Sequence, residues 1–246
     1  MVPKHSKMKS IYFDSVTSSM DEALNYINDI EEGIIAIIAK EQTKGRGRGE
    51  KNWISPKGGF YVTYIIPLEN KLSEGELTFF HYAAALAIQE MLNNFFHVKS
   101  KIKWPNDILL NDKKIAGVLI EYITGEKCYI LIGIGINVNN KPSEFPADLT
   151  DQITSLKSIL KKDISLKKIE VELSELIKKN TLYVLETKLD KLVNNFNSNL
   201  NFYQKQIYLK DDILYNCKGI NIEGNLVLEK DDKIILLSIN DSNEIA

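Results

Sequence analysis

The chain is 246 residues long, 44% apolar and 26% charged, with a formal net charge of −2 at pH 7; it can bury a full core and is too nearly neutral for a general nucleic-acid binder. Its two cysteines, Cys128 and Cys217, lie far apart and His5, His81 and His97 are scattered, so neither a disulfide framework nor a zinc site follows from local spacing. Met1 to Ile11 holds no hydrophobic signal core and no run reaches the ~20 apolar residues that cross a bilayer, so the expected setting is the reducing cytoplasm, without membrane or nucleic acid as partner.

Ser18 or Ser19 can cap a short helix over Asp21 to Ile30, with Ala23, Leu24 and Ile27 at helical spacing. Ile34 to Ala39 reads as a buried strand, the glycine-rich segment after it as a loop, and Phe60 to Ile66 as a second strand stopped by Pro67. Ser73 and Glu76 form a capping box, with Leu72 and Leu77 spaced as a hydrophobic staple, for a helix from about Glu74 to Phe96. That helix is apolar nearly all round and is expected to lie buried across a sheet. Ile108 to Leu110, the turn Asn111-Asp112-Lys113 and Lys114 to Ile123 predict a hairpin.

From Ile130 to Asn139 the chain alternates with period two: Ile130, Ile132, Ile134, Ile136 and Val138 share one face, Leu131, Gly133, Gly135, Asn137 and Asn139 the other. The glycine face suits a strand against which a ligand lies directly. Two amphipathic helices are expected over Leu166–Lys179 and Leu182–Phe196, a domain boundary in the Asn-rich stretch Asn194 to Asn201, and short strands with a turn at Glu223-Gly224-Asn225 thereafter. The expected division is 1–198 and 199–246, the second part having the size of a small β barrel.

The rare residues mark two places. Of 31 Lys+Arg, two are arginines, Arg46 and Arg48, both within Gly45-Arg46-Gly47-Arg48-Gly49. A planar guanidinium suits carboxylates and phosphates better than an ammonium, and flanking glycines let backbone N–H groups approach the same anion. Alone, the segment is neither a P-loop nor a complete GxGxxG, and a solvated surface loop explains it equally well. Of the two tryptophans, Trp53 closes this segment and Trp104 sits in Lys103-Trp104-Pro105-Asn106-Asp107. There Asn106 and Asp107 place an amide and a carboxylate at a strand start; the plain reading is a turn with a core tryptophan. Lys114 is by itself a hairpin lysine, the glycines of Gly133 to Asn139 could mark a tight sheet crossing, and Cys128 reads as a small hydrophobe.

Taken in order, Thr17-Ser18-Ser19-Met20, Gln42-Thr43 with GRGRGEKNW (45–53), KWPND (103–107), DKKIAGVLIE (112–121) and GIGINVN (133–139) resemble the catalytic domain of biotin protein ligases. The match covers roughly Ile11 to Asn140 well and the remainder loosely. It implies an α+β fold, a mixed sheet with packed helices plus a small SH3-like C-terminal β barrel. The implied chemistry uses biotin, ATP and Mg²⁺: biotinyl-5′-AMP forms first, and biotin then passes to a lysine of a biotin carboxyl carrier domain. By this resemblance Ser18, Ser19, Met20 and Gln42 hold the biotin ring, Arg46, Gly47 and Arg48 close over its carboxylate, and Gly117 lies under it. Lys114 bridges carboxylate and α-phosphate. Trp53, Asn106, Asp107 and Asn137 line the adenylate pocket with Lys51, and Asp107 is the candidate to orient or deprotonate the acceptor amine. No metal-ligand set is named.

Three departures from the family pattern matter. Ser19 stands where threonine is usual, Lys51 where arginine is common, and no helix-turn-helix domain precedes the core, so repressor activity is not expected. A lipoate ligase or octanoyl transferase, and a non-catalytic biotin-binding module, are the alternatives. The pattern demands neither a monomer nor a homodimer.

Overall fold

The computed structural model describes residues 7–30 and 33–245; His5, most of the N-terminal stretch before Ile11 and Ala246 lie outside the described residues. Strands β1 (Met8–Phe13) and β2 (Ile34–Ala39) pair in parallel. Helix α1 (Ser19–Ala23) and a 3₁₀ stretch, Leu24–Asp29, connect them, in place of the single helix expected to Ile30. β3 (Phe60–Leu68), β7 (Cys128–Ile136), β6 (Lys113–Ile123), β5 (Asp107–Leu110) and β4 (Ser100–Lys103) continue antiparallel, giving the order β1-β2-β3-β7-β6-β5-β4. Pro67 does not stop β3. Pairing with β2 has ended at Ile65, so at Pro67 only the β7 side is still matched, which is edge-like and tolerates a missing N–H. β5 and β6 meet through Asn111 and Asp112, both at positive φ (52° and 58°), a two-residue turn of type I′.

Helix α2 (Glu74–Glu90) carries the expected capping box: Ser73 Oγ accepts the Glu76 N–H, and the Glu76 carboxylate accepts the Ser73 N–H at 2.8 Å. Phe79 to Gln89 is buried without a break, because α2 packs on β4, β5 and β6 on one side and on α4 (Leu166–Leu185) and α5 (Leu189–Asn199) on the other. Beyond Glu90 the backbone widens into a π turn, Met91–Phe95, rather than staying α-helical to Phe96; here the Asn93 side chain accepts the N–H and hydroxyl of Ser100 and ties the helix end to β4. α4 runs past the expected Lys179, and the break falls at Thr187, whose φ of 54° ends the helical path before α5.

The Asn-rich stretch is not a linker up to Asn199: it is helical, and Asn197 clasps Ile220 with both amide atoms, at 3.0 and 2.7 Å. After it comes a second, antiparallel sheet in the order β11-β10-β9-β8, built from β8 (Gln206–Tyr208), β9 (Leu214–Ile220), β10 (Leu226–Lys230) and β11 (Lys233–Leu237). It ends in a 3₁₀ turn, Ile239–Glu244. Tyr82 of α2 ties it to the main body: its hydroxyl donates to the Gly224 carbonyl at 2.7 Å and receives Trp104 Nε1 at 3.0 Å. Among the described residues no helix is long and apolar enough to cross a membrane.

The two faces of β7 do different work. Ile130, Ile132, Ile134 and Ile136 enter the main core with α2. On the other face Tyr129 and Leu131 join a smaller cluster with Met20 and Ala23, and Gly133 and Gly135 continue it as a bare floor.

Candidate active site

Over that floor lies a cavity of about 1300 Å³, walled by α1, the 45–53 loop, β6, the start of α2 and the C-terminal 3₁₀ turn. Every site residue expected from the sequence lines it except Asn137. Gly133 and Gly135 themselves line the cavity, and two side chains lie against them. A Cβ on Gly133 would meet Met20 Sδ at 2.6 Å, and one on Gly135 would overlap the Trp53 indole. The glycines admit these two side chains close to the backbone, so Met20 and Trp53 share the cavity surface with the strand itself.

One end of the cavity is neutral and held by hydrogen bonds. Ser18 caps α1, its Oγ accepting the Met20 N–H at 3.2 Å. The Gln42 amide spans two segments: Oε1 accepts the Ser19 N–H at 2.7 Å and Nε2 donates to Ser55 Oγ at 2.8 Å. Ser19 Oγ meets Thr63 Oγ1 at 2.9 Å. Ser18 and Ser19 are buried. This network fixes the Gln42 amide and leaves it one N–H for a ligand.

The other end is charged. Lys114 Nζ sits 2.7 Å from Asp107 Oδ1 and 5.1 Å from the centre of the Trp53 ring. Asn106 donates through Nδ2 to the Val118 carbonyl at 2.6 Å, which ties the KWPND turn to β6. Arg46 is held by Asp21 at 2.8 Å and by a short ion pair with Glu121. Burial opposes the charge on Arg46, but the two carboxylates outweigh it and raise its pKa. Arg48 turns elsewhere, Nη1 donating to Ser242 Oγ at 3.0 Å and Nη2 to the Ile239 carbonyl at 2.6 Å; burial pushes its pKa down, and the charge of Asp107 partly offsets this. The two arginines therefore rest on separate protein acceptors while lining the same cavity. The backbone of Lys51 closes the loop, its carbonyl accepting the Gly47 N–H at 2.8 Å, while its side chain is exposed.

Sequence reasoning passed over several residues that the fold brings here. Ser55, Thr63, Asp21 and Glu121 support the expected ligands, and Glu121 had stood unassigned at the end of the DKKIAGVLIE motif. His81, given no role, lines the cavity from α2; burial, and then the charge of Arg48, push its pKa down to about 3, only partly offset by the Leu77 backbone, so it is neutral. Among the described residues four buried side-chain polar atoms lack a hydrogen bond. Two of them, Trp53 Nε1 and His81 Nδ1, belong to cavity-lining side chains, and a third, Asn137 Oδ1, directly follows the floor strand. Cys128 is buried at the start of β7, as a small hydrophobe would be.

Fold and site together define an α+β protein with a glycine-floored cavity at which Arg46, Arg48 and Lys114 gather. The family model described as Biotin/lipoate A/B protein ligase family matches residues 11–137, more than half of the chain, and the chain belongs to that family. It is 37% identical over 150 residues to the bifunctional ligase/repressor BirA of Bacillus subtilis, covering 59% of this chain and 45% of that protein, so it spans less than half of this relative's length. A biotin–[acetyl-CoA-carboxylase] ligase of Paracoccus denitrificans is 37% identical over 106 residues, 42% of this chain and 43% of that one. A solved biotin protein ligase from Aquifex aeolicus in complex with biotin and ATP superposes with a TM-score of 0.80 at 26% identity, covering 97% of each chain. The small C-terminal sheet accords with an SH3-like β domain.

Proposed function

We propose that this chain is a biotin protein ligase of the cytoplasm: it activates biotin with ATP to biotinyl-5′-AMP and transfers the biotinyl group to one lysine of a biotin carboxyl carrier domain. The observation that carries the reading is the meeting of a fixed neutral amide, Gln42, with a charged cluster, Lys114, Asp107 and the two loop arginines, in one cavity. The neutral end suits an uncharged ureido ring, with Ser18, Ser19, Met20 and Gln42 around it, and the charged end a carboxylate and phosphates. Residues 1–198 are taken as the catalytic part and 199–246 as the small β part.

In the first step a carboxylate oxygen of biotin attacks the α-phosphorus of ATP, a new O–P bond forms and pyrophosphate leaves. Two anions must approach each other, so the protein's task is charge neutralisation and alignment rather than covalent catalysis. Lys114 is placed for this: its ammonium stands at the Asp107 carboxylate and can exchange it for the ligand's oxygens. Arg46 and Arg48 sit on the loop that borders the same space, with Gly47 giving them close approach and Gly117 lying beneath Trp53. Trp53, Asn106, Asn137 and Lys51 are the proposed surroundings of the adenylate. Mg²⁺ would fit as a partner of the nucleotide phosphates: Asp107, beside Lys114, is a cavity carboxylate with an oxygen to offer, and Mg²⁺ commonly takes one or two carboxylates plus substrate phosphates.

In the second step the carrier lysine amine attacks the acyl carbon, an amide bond forms, the acyl–phosphate bond breaks and AMP leaves. A free lysine has a pKa near ~10.4, so the amine must shed a proton to react. Asp107 is the proposed acceptor and guide of that proton. The mixed anhydride hydrolyses in water, which explains a loop that covers it.

Incubation with ATP, a carrier domain and either labelled biotin or labelled lipoate tests the reading. Label from biotin on the carrier lysine is expected. Label from lipoate alone would move the chain to the lipoate side of its family, and tight binding of biotin without transfer would make it a sequestering module.

A further inference from the structure

The C-terminal turn, far from every motif in the sequence, reaches the reactive loop. Arg48 and Ser242 are 194 residues apart, yet Nη1 of the one donates to Oγ of the other at 3.0 Å, and Nη2 donates to the Ile239 carbonyl at 2.6 Å. We propose that Ser242, together with the Ile239 carbonyl, is a positioning residue for Arg48, so that the turn Ile239–Glu244 is a working part of the adenylating site. The inference rests on the ligase reading given above.

Three observations argue that the turn is built independently of Arg48 and sets the position of the guanidinium. Ser238 and Asp241 form their own capping box, the Asp241 carboxylate accepting the Ser238 N–H at 2.9 Å and hydroxyl at 2.7 Å. The far end is pinned to the small sheet by the Lys210 N–H on the Glu244 carbonyl at 2.8 Å and by the Leu209–Ile245 bridge. The small sheet is itself fastened to the main body by the Asn197–Ile220 clasp and the Tyr82 hydroxyl on Gly224. A long side chain on a loop that carries Gly45, Gly47 and Gly49 has many rotamers, and a fixed pair of acceptors removes most of them before substrate arrives.

The chemistry of the acceptors matters as much as their place. A hydroxyl and a carbonyl are neutral, so they hold the guanidinium without cancelling its charge. Carboxylates, such as those on Arg46, compete with an incoming anion. Two of the five N–H groups of Arg48 are engaged, which leaves three for the ligand. Arg48 lines the same cavity as the Lys114–Asp107 pair.

The test uses the full chain with Ser242→Ala, Ser242→Thr, Arg48→Ala and the double variant Arg48→Ala/Ser242→Ala, all checked for an unchanged Tm. Pyrophosphate release should fall about threefold to tenfold in kcat for Ser242→Ala with a smaller change in the KM for biotin, recover in Ser242→Thr, and show no further loss when Ser242→Ala is added to Arg48→Ala. Equal losses in both backgrounds, or none in either, overturn the inference. Cleavage of the 45–53 loop by a limiting amount of trypsin, without ligand, gives a second readout that needs no chemistry. It should speed up about threefold in Ser242→Ala and return to the parent rate in Ser242→Thr; an unchanged rate counts against the inference. A parent chain that forms no biotinyl-adenylate overturns the ligase reading, while an active parent indifferent to Ser242 overturns only the positioning role.

Discussion

The two ends of the cavity are made stable by different means. At the neutral end Ser19, Gln42, Ser55 and Thr63 satisfy one another over distances of 2.7 to 2.9 Å before any ligand arrives. At the charged end each cation rests on another group of the protein: Lys114 on Asp107, Arg46 on Asp21 and Glu121, Arg48 on Ser242 and Ile239. A neutral buried network costs much to break and gives shape. Half-exposed ion pairs are weak individually and exchange readily, so they can release their cations to a carboxylate or a phosphate. Under the proposed function the first end would select the ligand and the second react with it.

The largest break in this contrast is expected at Lys114. Lys114→Met keeps most of the side-chain volume over Trp53 but removes the charge, and adenylate formation should fall by about 10²–10³, the cost typical of losing one preorganised electrostatic stabiliser, with thermal stability nearly unchanged. Pyrophosphate release and a melting curve on the same sample measure both halves of the statement. Gln42→Leu should do the reverse. It leaves the buried Ser19 N–H without its acceptor, so stability should drop by about 1–3 kcal/mol and biotin affinity by about tenfold to a hundredfold, readable by urea unfolding and titration calorimetry.

His81 sharpens the comparison because it lies at the charged end yet is neutral. Its folded pKa of about 3 lies below the ordinary value of 6.5. Between these values the unfolded chain binds a proton that the native chain refuses, so stability falls as pH falls through that window, with a steepest slope of about 1.4 kcal/mol per pH unit, and levels off below about 3. Urea unfolding at pH 5 and pH 8 should show a smaller difference for His81→Gln than for the parent chain; an identical difference would mean that the imidazole is not kept neutral. The smallest effect concerns salt. Raising the ionic strength from about 0.05 to 0.3 M should weaken biotin binding about twofold to threefold through screening at the carboxylate, and leave the binding of biotinol, which has an alcohol in its place, unmoved.

How far the sequence could be read follows from the range of the interactions. The Asn111-Asp112 hairpin, the Ser73–Glu76 capping box and the split of β7 into an isoleucine face and a glycine face depend on neighbours a few residues away, and pattern alone reveals them. The five motifs predicted a shared cavity through their resemblance to one family pattern; rare residue types mark only two of them. The groups that support them do not announce themselves: Thr63 lies 44 residues from Ser19, Glu121 75 from Arg46 and Ser242 194 from Arg48, and an isolated threonine, glutamate or serine looks like any other on a strand or turn. Pro67 misled because its cost depends on which side of β3 still has a neighbour, and that is a property of the sheet. That Arg46 and Arg48 rest on different protein acceptors was equally hidden, because those acceptors come from α1, β6 and the C-terminal turn.

The Tyr82 hydroxyl stands between the Trp104 indole and the Gly224 carbonyl, donating to one side and accepting from the other. A tryptophan of the KWPND motif is thus read, through one oxygen atom, by a turn in the small β part. The two parts of the molecule are consequently poor candidates for free exchange between relatives. A transplanted C-terminal sheet must bring a backbone acceptor to the same point above α2, and one that arrives displaced will strand a buried hydroxyl beside Trp104.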